Sequence, residues 1–152
     1  MRQNETEEKF RNLCLNRGLN IEKSKKLQDI SEHWDFKVND SLVDVKGLKR
    51  VSRSDKSFSY DLTWVEFTNV LGKKGWLQCC ADYIAFESTD CFIIVSRKDL
   101  LEYCYRNVQQ TVVNKSQDAL YKMYSRRGRK DVISLISLKH LAKNIKTWKL
   151  KF

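Results

Sequence analysis

Residues 33–46, HWDFKVNDSLVDVK, decide how this chain is read. Apolar and polar side chains alternate on either side of Asn39-Asp40, two residue types that tolerate the left-handed backbone of a tight hairpin turn. With those two residues in the turn, Val38 faces Ser41, Phe36 faces Val43 and Asp35 faces Asp44, the two aspartates having Cβ atoms about 5 Å apart. Side chains alternate along a strand, so Lys46 projects from the same face, opposite His33. The other face collects Trp34, Phe36, Val38, Val43 and Val45, an apolar set ready to join a core.

Directly opposed carboxylates repel unless something neutralises them. A divalent cation does so, and paired aspartates are hard oxygen ligands of the kind Mg²⁺ takes, with positions left for water and a substrate phosphate. A lysine beside them can orient water or stabilise developing negative charge. The chemistry these residue types point to is metal-assisted hydrolysis of a phosphodiester.

Upstream, Phe10, Leu13 and Cys14 stand at helical spacing within 4–17, with acidic residues in the first turn and Gly18 as a stop. Glu7 falls on the buried stripe of that helix and Glu8 points away from it. A core-facing glutamate needs a partner; a metal site, a structural salt bridge and a frayed first turn all remain open. Residues 19–31 read as a polar connection of no assignable conformation.

Downstream, strands are expected over 61–68 and 75–78, separated by the LGKKG loop, and in the runs ADYIAF and CFIIV, with a helix over 97–109. Residues 121–130 read as a basic loop, VISLIS as a late strand and 138–143 as a short helix. No proline and only five glycines leave little room for linkers. Helix, strands, helix and strand in this order predict an α/β or α+β sandwich.

The length of 152 residues fits one domain spanning 1–152. An apolar fraction of 41% with 32% charged residues excludes a disordered chain, and no apolar run approaches the ~20 residues that span a bilayer. The first twenty residues lack the apolar core of a secretory signal, so a cytoplasmic location is expected. Cys14, Cys79, Cys80, Cys91 and Cys104 form no paired C-x-x-C motif, and with only His33 and His140 beside them a structural zinc site is poorly supported. Reduced cysteines packed as small hydrophobes are expected. The net charge of +10 is concentrated after residue 114, where eleven basic residues face two acidic ones. That footprint suits a polyanion or an anionic membrane surface, and equally a solvated basic face.

The helix glutamate, Asp35 and the Asp44-Val45-Lys46 run at the end of a hairpin resemble the PD-(D/E)XK nuclease superfamily. Among its branches the arrangement is most similar to Holliday-junction resolvases and related small phage or archaeal endonucleases. The resemblance implies an αβββαβ restriction-endonuclease-like sandwich with a central mixed sheet. It also implies a Mg²⁺- or Mn²⁺-dependent deoxyribonuclease acting on structured or branched DNA, working as a homodimer because a junction needs two symmetric cuts. By the same resemblance Asp35, Asp44 and the Val45 carbonyl are metal ligands, Lys46 is the catalytic lysine and Glu7 assists the metal or the water. Trp34 stands where the name of the motif has proline, and aspartate at position 44 is within the pattern. The likeness covers the helix and first hairpin and is topological beyond them, with Leu62–Phe67 as third core strand and Glu66 at the margin of the site.

Two basic clusters are candidates for DNA phosphates: Lys49, Arg50, Arg53 and Lys56 directly after the motif, and Arg126, Arg127, Arg129 and Lys130 in SRRGRK. For both, the alternative is a solvated loop. His33 is read as a surface residue, Asp82 as a strand-start residue, and Trp76 and Trp148 as core. His140 has no evident partner. Two other functions stay open: a non-catalytic nucleic-acid-binding module on the same fold, and a basic structural or membrane-surface protein. The last lacks a clear amphipathic basic helix.

Overall fold

A computed structural model describes residues 2–152 as a mixed α/β chain with four helices and two mixed sheets. In chain order the elements are α1 (Arg2–Asn16), β1 (Ile21–Lys23), α2 (Lys26–Glu32), β2 (Phe36–Val38), β3 (Ser41–Lys46), β4 (Leu62–Thr68), β5 (Tyr83–Glu87) and β6 (Cys91–Ser96). They continue with α3 (Arg97–Asn107), β7 (Gln109–Val113), β8 (Lys122–Tyr124), β9 (Val132–Ser137), α4 (Leu138–Asn144) and β10 (Trp148–Lys151). The chain divides into two compact units, one from residues 2–47, 80–97 and 147–152, the other from 48–79 and 98–146.

The first unit is a six-stranded sheet in the order β1-β2-β3-β5-β6-β10. Only β3 and β5 run parallel, with Asp44 beside Ile84 and Val45 beside Ala85. The β2–β3 hairpin has the register its sequence predicts: Phe36 pairs with Val43, Lys37 with Leu42 and Val38 with Ser41. Asn39 takes φ 52° in the turn, the left-handed conformation that an asparagine adopts at low cost. One sheet face packs under α1, where Phe10 and Cys14 meet Phe36, Val43, Val45, Ala85 and Phe92. The Phe10 ring stacks edge-on to Phe92 at 5.3 Å and tilted against Phe36 at 5.8 Å. Trp34, expected in this set, is buried but lies outside the cluster.

The 19–31 segment is not a plain connection. It holds the edge strand β1, antiparallel to β2, and the short helix α2. Neither carries a readable period: Ile-Glu-Lys has one apolar residue, and α2 leaves Leu27 and Ile30 exposed. The residues after 146, read as a tail, form β10 against β6.

The second unit is a four-stranded sheet in the order β4-β9-β8-β7, with α3 and α4 in the same unit. Val65, Leu100, Tyr103, Ile136 and Leu141 are among its fully or nearly fully buried side chains. The strand expected over 75–78 is a 3₁₀ turn at Trp76–Gln78, closed by Gln78 N–H on the Gly75 carbonyl at 3.1 Å and Cys79 N–H on the Trp76 carbonyl at 3.2 Å. Residues 121–130, read as loop, begin with β8. The strand expected beside the hairpin, β4, pairs instead with β9, and β5 is the neighbour of β3. All five cysteines lie outside disulfides; Cys14, Cys91 and Cys104 are buried as small hydrophobes, while Cys80 is exposed. Burial pushes the Cys14 thiol up to about 11 and the Cys104 thiol up to about 12. Among the described residues no helix is long and apolar enough to cross a membrane.

Candidate active site

The hairpin brings Asp35 and Asp44 together as its register requires. Asp35 N–H donates to the Val43 carbonyl at 2.9 Å, and Asp35 Oδ2 accepts from Val45 N–H at 2.7 Å. Backbone and side chain of one aspartate thus grip the residues on either side of the other, which fixes the two carboxyls against each other. Both are buried, at 5% and 4% exposure. Lys46, two residues along the same strand face, sets its Nζ 3.1 Å from Asp44 Oδ2. That contact is an ion pair set off the hydrogen-bond direction, and Asp44 Oδ2 accepts no aligned hydrogen bond.

Burial raises the Asp35 carboxyl to about 8, and the charge and hydrogen bond of Asp44 and the charge of Glu7 push the same way against the Val45 N–H bond. Asp35 is thereby biased toward its protonated form near neutrality.

Glu7 is buried on α1 as its helical position predicts, and its carboxylate is ion-paired to Lys23 of β1. The structural salt bridge is thus the partner it has. Lys23 also lies 4.8 Å over the Phe36 ring. Among the described residues no three His, Cys, Asp or Glu side chains converge as a ready-made metal cage. The Val45 carbonyl already accepts a hydrogen bond from Gln3 Nε2 at 2.7 Å, and Gln3 Oε1 lies 3.4 Å from Gly47 N. One amide from α1 thereby holds the backbone on both sides of Lys46.

Gln3 and Lys23 were not singled out from sequence, although Gln3 sits one turn before Glu7 on the same helix face. Glu87 was also missed. It is buried at the end of β5 and bonded to Arg2 at 3.1 Å and to Thr6 Oγ1 at 3.1 Å, with Lys9 at 3.6 Å, so its charge is compensated structurally.

The remaining candidates fall in different places. Asp82 is a strand-start residue, as expected, with Oδ2 accepting from Leu42 N–H at 2.8 Å. His33 caps α2 in the left-handed conformation, so it does not extend the ladder opposite Lys46. In the second unit Lys49, Arg50, Arg53 and Lys56 are exposed, and the Arg50 carbonyl accepts from Trp64 Nε1 at 3.0 Å. Arg127, Arg129 and Lys130 are exposed, whereas Arg126 is bound by the buried Asp131 at 2.6 Å. Glu66 is half-buried on β4 and lies in the four-stranded sheet. Trp76 is core; Trp148 is 42% exposed and meets Tyr83 edge-on, contrary to the expected burial. His140 does have a partner: its Nδ1 lies 2.5 Å from the Tyr103 hydroxyl, which also meets the Tyr121 hydroxyl at 2.5 Å.

Compared with known proteins, the chain matches no protein-family model, no curated protein and no solved structure.

Proposed function

We propose that this chain is a metal-dependent nuclease that hydrolyses phosphodiester bonds in DNA, an endonuclease for structured or branched DNA that works as a homodimer. The reading takes the first unit as a PD-(D/E)XK-type, restriction-endonuclease-like core. It rests on one observation: two buried carboxyls held face to face, with Lys46 3.1 Å from Asp44 and a buried Asp44 oxygen that accepts no aligned hydrogen bond. The second carboxyl beside this ion pair is a like charge that a divalent cation would neutralise.

These residues fit Mg²⁺ or Mn²⁺: Asp35 and Asp44 would hold the ion, and the second lone pair of the Val45 carbonyl remains beside the Gln3 bond. The ion, when bound, supplies Lewis-acid charge to a phosphoryl oxygen and acidifies water. Asp35 would have to lose its proton to hold the ion. Lys46 places a positive charge next to the carboxylates, suited to orienting the attacking water or to the charge that grows on the phosphoryl oxygens. Glu7, engaged by Lys23, acts on the site through its field at Asp35.

The test is cleavage of linear duplex, single strand, flap and four-way junction with Mg²⁺, Mn²⁺, Ca²⁺ or EDTA, beside Asp44→Ala and Lys46→Ala. Cleavage that needs Mg²⁺ or Mn²⁺ and disappears in both variants is expected; cleavage at full rate by Asp44→Ala overturns the site. The second reading, a non-catalytic nucleic-acid-binding module, is favoured by the hold of Gln3 on Val45 and of Lys23 on Glu7. Tight, salt-sensitive binding without turnover of any substrate would select it.

A further inference from the structure

Two loops of the second unit lie side by side. The first, Asn69–Lys74, is braced from within: Asn69 Oδ1 accepts from Leu71 N–H and Lys73 N–H, both at 3.0 Å, and Asn69 N–H donates to the Lys73 carbonyl at 2.8 Å. The second, Ser125–Asp131, is clamped by the fully buried Asp131, which takes Arg126 N–H at 3.1 Å and Arg126 Nε at 2.6 Å. Each turns on a left-handed glycine, Gly72 at φ 80° and Gly128 at φ 75°, a conformation other residues adopt with strain. Lys130 joins them, its N–H reaching the Val70 carbonyl at 3.4 Å and its side chain packed beside Gly72.

The outer surface of this pair is one-sided in charge. Lys73, Lys74, Arg127, Arg129 and Lys130 are exposed and, among the described residues, make no ion pair, while Asp131, the one acid in either loop, is neutralised by Arg126. The first loop also carries an apolar tip, with Val70 43% and Leu71 69% exposed, next to Lys73 and Lys74 in sequence and tied to Lys130 through the Val70 carbonyl. Exposing a leucine has a cost that a surface cation does not have.

We propose that the paired glycine loops are a second nucleic-acid-binding element, in which the cations hold phosphates on both sides of an interrupted or distorted duplex and Leu71 inserts against the unstacked bases. Cations on two joined loops beside an apolar projection match a duplex, which offers phosphates at its flanks and base faces where stacking is broken. A bilayer surface is better met by a broad apolar face with aromatic residues, and the tip has none. The inference rests on the proposed function in taking nucleic acid as partner and is independent of turnover.

Binding is therefore read by fluorescence anisotropy in EDTA, with the full chain carrying Asp44→Ala, on a continuous duplex and on the same duplex with a one-nucleotide gap, across a salt series. Lys73→Gln/Lys74→Gln and Arg127→Gln/Arg129→Gln should each lower the slope of log K against log salt by about 2, close to 0.9 per phosphate contact. Leu71→Ser should keep the slope, lose the preference for gapped DNA, and abolish the fluorescence gain of a 2-aminopurine placed beside the gap. Unchanged slopes in both double variants, or an unchanged gap preference in Leu71→Ser, overturn the proposal. So does Leu71-dependent binding to phosphatidylcholine/phosphatidylserine vesicles without any to DNA. A chain that gives these shifts but never cleaves DNA fails as a nuclease and keeps this element; one that cleaves but shows no shift loses this element alone.

Discussion

Asp35→Asn isolates the proton that Asp35 favours holding. The Asp35 carboxyl is raised from its ordinary value of 3.8 to about 8, first by burial and then by Asp44 beside it. Between those two pH values the folded chain carries one proton more than the unfolded chain, so stability contributed by this group is fully present below pH ~4 and is lost as pH rises toward ~8. The steepest loss is one proton's worth, about 1.4 kcal/mol per pH unit, or about 3 kcal/mol between pH 5 and pH 7. Asparagine keeps an oxygen for Val45 N–H and offers its NH₂ to Asp44, while titrating at neither pH. Urea unfolding of wild type and Asp35→Asn in EDTA, followed by tryptophan fluorescence at a series of pH values, gives the difference directly, because all other titrating groups are common to both chains. The wild type should lose about 3 kcal/mol relative to the variant from pH 5 to pH 7, and the variant should be the more stable chain at pH 8. Curves that stay parallel across this range would refute the account of a buried Asp35 biased toward its protonated form.

Gln3→Ala removes the amide that holds Val45 and Gly47; kcat for DNA cleavage should fall about tenfold, stability by roughly 1 kcal/mol, and DNA affinity in EDTA should not change. Gln3→Glu, which cannot donate to the Val45 carbonyl, should show the same loss of kcat, separating that bond from the contact at Gly47. Gly75→Ala would drive a Cβ into the Glu66 carbonyl oxygen, so the turn must shift, at a cost of roughly 1–3 kcal/mol visible as a lower thermal midpoint.

What was legible in the sequence is what depends on neighbours along the chain. The alternation around Asn39-Asp40 gave the hairpin register, and a 3.6-residue period placed Glu7 with Phe10 and Cys14. The runs ADYIAF and CFIIV announced β5 and β6 because strands buried on both faces need continuous apolar side chains. What was hidden depends on partners distant in sequence. β1 and β10 are three and four residues long, with two charged residues each, and are strands only because β2 and β6 present unpaired edges to them. Gly75-Trp76-Leu77-Gln78 reads as a strand by composition but closes as a 3₁₀ turn that the Gly75 N–H ties to the Phe67 carbonyl. At the site, Asp35, Asp44 and Lys46 followed from register, while Gln3, Lys23 and Glu87 meet their partners across elements and left no local pattern.

The parallel pairing of β3 with β5 has a bearing on how the chain is made. Val43 waits for Tyr83, forty residues later, and β6 waits for Trp148–Lys151. The hairpin can close as soon as it leaves the ribosome, but the sheet around it is among the last things completed, since parallel and long-range pairings form slowly. Until β10 arrives, Cys91–Ser96 is an open, apolar strand edge able to recruit another nascent chain. A message cut short before codon 147 should thus yield aggregate rather than a slightly weaker protein.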